Sequence, residues 1–168
     1  MSNLKEIFVK TDICTGCQTC KIACAVEHSK SKNLFAAMNE SPGPKSRVYV
    51  EWLEGNTKVP VLCRHCEDAP CVSACISGAI TRTDRNTVVT NNDKCIGCWT
   101  CVMVCPYGVI GRDKNLAKAY RCDRCPDLEV PACVSSCPTN ALVYDTVENF
   151  SKEKRKTASK ELLTREGV

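Results

Sequence analysis

CIGCWTCVMVCP, Cys95 to Pro106, places four cysteines within eleven residues, more thiols than a disulfide or an ordinary core needs in so short a span. The whole chain carries 16 cysteines among 168 residues, a load that small chains use either as disulfides or as metal ligands. They fall into four groups of four: Cys14, Cys17, Cys20, Cys24; Cys63, Cys66, Cys71, Cys75; Cys95, Cys98, Cys101, Cys105; and Cys122, Cys125, Cys133, Cys137. None is left over. The first and third groups read C-x2-C-x2-C-x3-C, the second C-x2-C-x4-C-x3-C and the fourth C-x2-C-x7-C-x3-C, so the last two are the same run with a longer middle loop.

Disulfides persist in oxidising compartments, and a chain sent there opens with a basic stretch, an apolar run and a small-residue cleavage site. This one opens MSNLKEIFVKTD, with none of these, and no stretch approaches the roughly 18 to 20 apolar residues of a membrane span. A cytoplasmic location with reduced thiols free to bind metal is the expectation. Aromatic content is only 5%, and much of the 43% hydrophobic fraction is cysteine itself, so the apolar core is thin. Metal binding coupled to folding then has to organise the chain.

The run in the first and third groups is the bacterial ferredoxin spacing for a [4Fe-4S] cluster. Three thiolates separated by two residues each on a tight loop reach three corners of one cubane, while the loop's amides point toward its sulfides. The fourth cysteine sits on a helix turning away, and in two-cluster ferredoxins it ligates the other cluster. Groups must therefore pair. Internal repeats bear on how: VKTDICTGCQTCKIACA from Val9 and VTNNDKCIGCWTCVMVCP from Val89 share a D-x-C-x-G-C opening, while the segments from Cys63 and Cys122 share C-V-S-x-C. The chain order is A, B, A', B', which fits two ferredoxin-like modules, one nested inside the other.

The expected fold is α+β: two pseudo-symmetric dicluster modules organised by four [4Fe-4S] clusters, plus a C-terminal helix. Residues 1–40 and 112–147 form the outer module, 48–111 the inner one and 148–168 the helical tail. The segments EIFVKT, RVYVEW, TVVT and ALVYD read as strands, and helices are expected over Thr19 to Val26 and Thr100 to Cys105. Gly78, Gly108 and Asn140 each stand three residues after a fourth cysteine, where a left-handed residue would turn the chain into the next strand. SPGPKS from Ser41 marks a loop, and Asp145 or Thr146 is available to cap the tail helix.

Structural zinc, held by paired C-x2-C elements, is the bland competitor, but zinc needs no crowded triple of thiols. His28 and His65 read as packing or solvent contacts, with contact at a cluster edge the alternative. Trp99 either screens a cluster from water or packs its loop. The tail is a mixed-charge helix, solvated or a docking arm. The formal charge of +4 treats thiols as neutral; each oxidised cubane with four thiolates carries about −2, so the loaded protein is at about −4, which argues against nucleic-acid binding.

No phosphate-binding glycine loop, nucleophile-base pair or spare cysteine at an open metal site provides a catalytic constellation, so a non-enzymatic electron carrier is expected. The order of the four groups resembles the four-cluster iron-sulfur subunits that accompany molybdenum or tungsten oxidoreductases, hydrogenases and related complexes, over residues 5–147. CAVEHSKSKNL, CRHCEDAPC and CIGCWTCVMVCPYGVI are similar to the iron-sulfur subunit associated with nickel carbon monoxide dehydrogenase. The resemblance implies that one cluster takes Cys14, Cys17, Cys20 and Cys137, and a second Cys122, Cys125, Cys133 and Cys24. A third takes Cys63, Cys66, Cys71 and Cys105, and the fourth Cys95, Cys98, Cys101 and Cys75. It further implies an anaerobic setting with carbon monoxide dehydrogenase, or formate dehydrogenase in the runner-up reading, as donor. A hydrogenase or flavin-dependent pyridine-nucleotide reductase would be the acceptor. A free polyferredoxin and a cluster-based redox sensor are the other readings, the sensor lacking a visible output domain.

Overall fold

The computed structural model describes residues 4–165, so the last three residues of the tail lie outside the description. Its sheets are all two-stranded. β1 (Lys5–Val9) pairs antiparallel with β8 (Leu142–Thr146), Ile7 opposite Tyr144 and Val9 opposite Leu142. Side chains alternate across a strand, so Ile7, Val9, Leu142 and Tyr144 share the core face, while Phe8 points the other way. This pairing ties the segment before the first cysteine group to the segment after the fourth. Three hairpins lie between: β2 (Tyr49–Leu53) with β3 (Thr57–Val61), β4 (Ile80–Arg82) with β5 (Val88–Thr90), and β6 (Gly111–Asp113) with β7 (Lys118–Tyr120).

The helices follow the cysteine loops. α1 (Thr19–Glu27) carries Cys20 and Cys24, and α2 (Leu34–Met38) is capped by the Asn33 side chain, which accepts from the amides of Phe35 and Ala36. α3 (Pro70–Ser73), α4 (Thr100–Met103) and α5 (Ala132–Ser135) are single turns. The helix expected through Cys105 stops at Met103, as α3 stops at Ser73, two residues before the fourth cysteine of its group. Gly78, Gly108 and Asn140 adopt φ of 61°, 62° and 53°, the left-handed turn expected of them.

α1 packs against α5, and α3 against α4. The first contact joins the first and fourth cysteine groups, the second joins the inner two. Each pair has its own core. Ile7, Val48, Leu62 and Leu142 surround Cys20, Cys24, Cys122 and Cys133, whereas Ala69, Ile80, Val88, Ile110 and Ala119 surround Cys101. Val48 and Leu62, from the segment assigned to the inner module, thus pack into the first core, and Ala119, assigned to the outer one, packs into the second.

α6 (Val147–Arg165) is capped by Thr146, whose hydroxyl accepts from the Asn149 amide at 3.3 Å. It is held by Phe150, stacked on Phe8 at 4.2 Å between centroids, and by a 2.8 Å ion pair between Lys10 and Glu153. Beyond Glu153 its described side chains are exposed. No helix among the described residues is long and apolar enough to cross a membrane.

Candidate metal centres

Each C-x-G-C loop is clamped by a hairpin. In the first, a Cβ on Gly16, at φ of 70°, would lie 2.7 Å from Lys58 Cγ and 3.0 Å from Trp52, so β2 and β3 press on the loop. In its repeat, a Cβ on Gly97, at φ of 69°, would run into the Ala117 carbonyl, and Lys118 Nζ donates to the Cys95 carbonyl at 2.5 Å. Only glycine combines that backbone with that approach. Gln18 and Trp99, at φ of 61° and 65°, then turn each loop into its helix, and the Arg112 guanidinium lies 4.5 Å over the Trp99 ring. Trp99 also lines the cavity behind the loop and packs against the second core.

The thiols converge in four sets. Cys63, Cys66, Cys71 and Cys105 line one small cavity, and Cys75, Cys95, Cys98 and Cys101 line another. Burial pushes the Cys20 thiol up to about 11, and Cys137, Cys17 and Cys14 add to the push as charged neighbours. Burial likewise raises Cys133, together with Cys122, Cys24 and Cys125. The structure therefore brings Cys24 beside the fourth group, Cys137 beside the first, Cys75 beside the third and Cys105 beside the second. Cys20, Cys24, Cys122 and Cys133 share one core, with Cys63 packed against it, and burial raises the Cys122 thiol to about 12. Cys17 and Cys98 are exposed, while Cys24, Cys122, Cys125 and Cys133 are buried.

Sulfur-directed hydrogen bonds differ between sets. Thr19 and Thr100, at matching repeat positions, donate to Cys17 and Cys98 at 3.4 and 3.5 Å. The hydroxyls of Ser77 and Thr139 stand 3.7 and 3.8 Å from Cys75 and Cys137. The other two sets meet cations and imidazoles instead. The Arg47 amide donates to Cys24 Sγ at 3.2 Å, His28 Nδ1 lies 3.7 Å from the same sulfur, and Arg121 Nη1 donates to Cys71 Sγ at 3.0 Å.

Neither histidine is a mere solvent contact. Against the downward push of burial, Asp123 at 3.1 Å raises His28 to about 9. Asp123 also pairs with Arg47, and the two cations overcome burial to hold its carboxyl well below the usual carboxylate range. His65 accepts from the Val88 amide at Nδ1, 3.0 Å, so its proton sits on Nε2; burial pushes its pKa down to about 3 and keeps it neutral. Sequence reasoning passed over Arg121, Arg47, Asp123 and the four hydroxyls. The hydroxyls were legible in the repeats, as CQTC against CWTC and CIS against CPT; Arg121 and Arg47 carry no such signal.

Do these residues fit iron-sulfur clusters? Arg121 is 2% exposed, its Nη2 has no partner, and His65 Nε2 is likewise buried without one. A buried cation among four thiols, with an unspent N–H, fits an anion lodged between the sulfurs. Zinc would draw four sulfurs to about 2.3 Å from a single ion and close the cavity, whereas a cubane fills it. Sixteen cysteines in four such sets fit four [4Fe-4S] clusters.

Comparison with known proteins agrees. The 4Fe-4S dicluster domain matches residues 56–147, and a 4Fe-4S binding domain matches residues 11–27. The chain is 37% identical over 163 residues to the electron transport protein HydN of Escherichia coli (strain K12), covering 85% of this chain and 90% of that protein. It is 34% identical over 181 residues to an iron-sulfur protein of Rhodospirillum rubrum, with 96% and 94% covered. Against the thiosulfate reductase electron transfer subunit PhsB of Salmonella typhi it is 36% identical over 149 residues, with 80% and 72% covered.

Proposed function

This chain belongs to the 4Fe-4S dicluster family of ferredoxin-like electron-transfer proteins, and on that premise we propose that it relays single electrons from a carbon monoxide dehydrogenase to a hydrogenase or a flavin-dependent reductase. The observation that supports the relay is the packing of the thiols into two adjoining cores. Cys20 of the proposed set Cys14, Cys17, Cys20 and Cys137 shares one core with Cys24, Cys122 and Cys133 of the proposed set Cys122, Cys125, Cys133 and Cys24, and Cys63 of the proposed set Cys63, Cys66, Cys71 and Cys105 packs against it. Cys66, Cys71 and Cys105 pack against the second core with Cys75 and Cys95, beside the buried Cys101 of the proposed set Cys95, Cys98, Cys101 and Cys75. Exposed ligand positions, Cys17 and Cys98, stand in the two terminal sets.

Each cluster, when bound, takes up and releases one electron. The chain's own residues hold the sulfurs and supply hydrogen bonds to the ligands. Ile22 and Met103, at matching repeat positions, and Ile76 and Ile96 present exposed apolar side chains next to the terminal sets. Such surfaces suit docking of a donor at one end and an acceptor at the other. Support for the dehydrogenase as donor comes from the inter-motif strings CAVEHSKSKNL, CRHCEDAPC and CIGCWTCVMVCPYGVI.

The test mixes the anaerobically reconstituted protein with purified enzymes and follows visible bleaching. CO with its dehydrogenase is expected to bleach the clusters within the mixing time of catalytic amounts of enzyme. Clusters that stay oxidised there, yet bleach with formate and formate dehydrogenase, would transfer the protein to the formate system.

A further inference from the structure

Arg121 is a cation in an unusual position. It precedes the fourth cysteine group, in YRCDRC, yet its side chain reaches the second. Nε donates to Thr90 Oγ1 at 3.2 Å, which fixes the plane of the guanidinium, and Nη1 donates to Cys71 Sγ at 3.0 Å. Nη2 is buried and unpartnered, and no carboxylate pairs with the side chain among the described residues. Burial of an unpaired guanidinium is strongly unfavourable unless an anion lies against it. Its guanidinium lines the cavity that Cys63, Cys66, Cys71 and Cys105 share.

Among the described residues, no other buried, unpaired guanidinium donates to a ligand sulfur. The cations beside Cys24, His28 and Arg47, share Asp123, which cancels part of their charge. Arg124 is paired with Glu6 at 3.5 Å. The terminal sets receive neutral hydroxyls, and Lys118, beside the Cys95 carbonyl, is partly solvated. An added electron is stabilised most where a desolvated, uncompensated cation stands in contact with a ligand sulfur.

Resting on the ligand sets of the proposed function, we infer that Arg121 sets the redox potential of the cluster held by Cys63, Cys66, Cys71 and Cys105 and makes it the highest of the four. The first electron from the donor therefore comes to rest in the interior of the relay and leaves when the acceptor takes it. A charge held inside, away from both docking faces, waits for the second electron of a two-electron donor without being lost to solvent.

The test is an anaerobic redox titration of the reconstituted protein followed by electron paramagnetic resonance, with Cys66→Ala used to identify that cluster's signal. In the unaltered protein this cluster is reduced first. Arg121→Gln lowers its reduced-to-oxidised ratio at fixed ambient potential at least tenfold, a midpoint shift of about 59 mV for one electron, while Arg121→Lys stays within threefold of the unaltered protein. Reduction of another cluster first in the unaltered protein overturns the inference. An unmoved ratio in a fully loaded Arg121→Gln, or a Lys variant as far displaced as the Gln one, overturns it as well. Should Arg121→Gln fail to load, the wild-type order of reduction and Thr90→Val decide: loosening the guanidinium lowers the same cluster's ratio, and no change there counts against the inference. Iron and sulfide are counted on each sample, and a wild-type count short of four clusters rejects the ligand sets instead, so the two failures are told apart.

Discussion

Single side chains divide the four thiol sets into two kinds. Cys24 is the test of cross-group ligation, since it lies on α1 but is buried beside Cys122, Cys125 and Cys133. Cys24→Ala is expected to damage the cluster built on those three and spare the one built on Cys14, Cys17 and Cys20, read as loss of one cluster's paramagnetic signal after reduction. Retention of all four signals would refute it. Thr19 and Thr100 act more gently, each donating one hydrogen bond to an exposed ligand sulfur. A neutral hydrogen bond is worth about 1 kcal/mol, and strengthening on reduction by that amount corresponds to about 40 mV for one electron. Thr100→Val should therefore lower the potential of the terminal cluster on Cys98 by at most that amount, with iron content unchanged.

Hairpins and helix packing set the positions those side chains work from. β2 with β3, and β6 with β7, clamp the two C-x-G-C loops, but against different obstacles. At Gly97 the obstacle is backbone, the Ala117 carbonyl; at Gly16 it is the side chains of Lys58 and Trp52, which can turn aside. Alanine at either site carries the strain of a positive φ, of order 1 to 3 kcal/mol. Gly97→Ala, with a backbone collision added, is expected to lose iron from its cluster, and Gly16→Ala to keep most of it, as measured by iron per chain. α6 is a separate case. Its attachment ends at Glu153, and Phe150 is the larger part of it. Phe150→Ala should cost about 1 kcal/mol from the lost stacking, in addition to the apolar area exposed. A chain cut after Glu153 should load fully, yet bind its partner more weakly if the exposed arm is a docking element; equal affinity would leave it a solvated helix.

At the scale of the molecule, the two cores are small and thiol-rich, so packing alone is a weak organiser. Metal binding and folding are then one equilibrium. Anaerobic reconstitution is expected to yield about sixteen iron and sixteen sulfide per chain, and a strong iron chelator should unfold the loaded protein, seen as loss of β-sheet and helix circular dichroism. About four zinc ions, no sulfide and no visible absorbance would contradict the cluster assignment. The joining of chain ends by β1 and β8, with α1 on α5, brings the first and fourth groups together. Cys63, from the second group, packs against the core those two share.

The cofactor, the fold class, the turns at Gly78, Gly108 and Asn140 and the capped tail helix were all legible in the sequence. They rest on short-range rules: cubane ligation constrains residues three and four apart, a left-handed turn constrains one residue, and a cap constrains four. The module boundaries were less legible, because Val48, Leu62 and Ala119 are ordinary apolar residues whose periodicity shows that they are buried but not against which core. The electrostatics were hidden altogether. Arg121 meets Cys71 across fifty residues, Arg47 meets Asp123 across 76 and His28 meets it across 95. A guanidinium's charge acts through space, over distances that chain order does not measure, so only the tertiary structure decided which sulfur it would face.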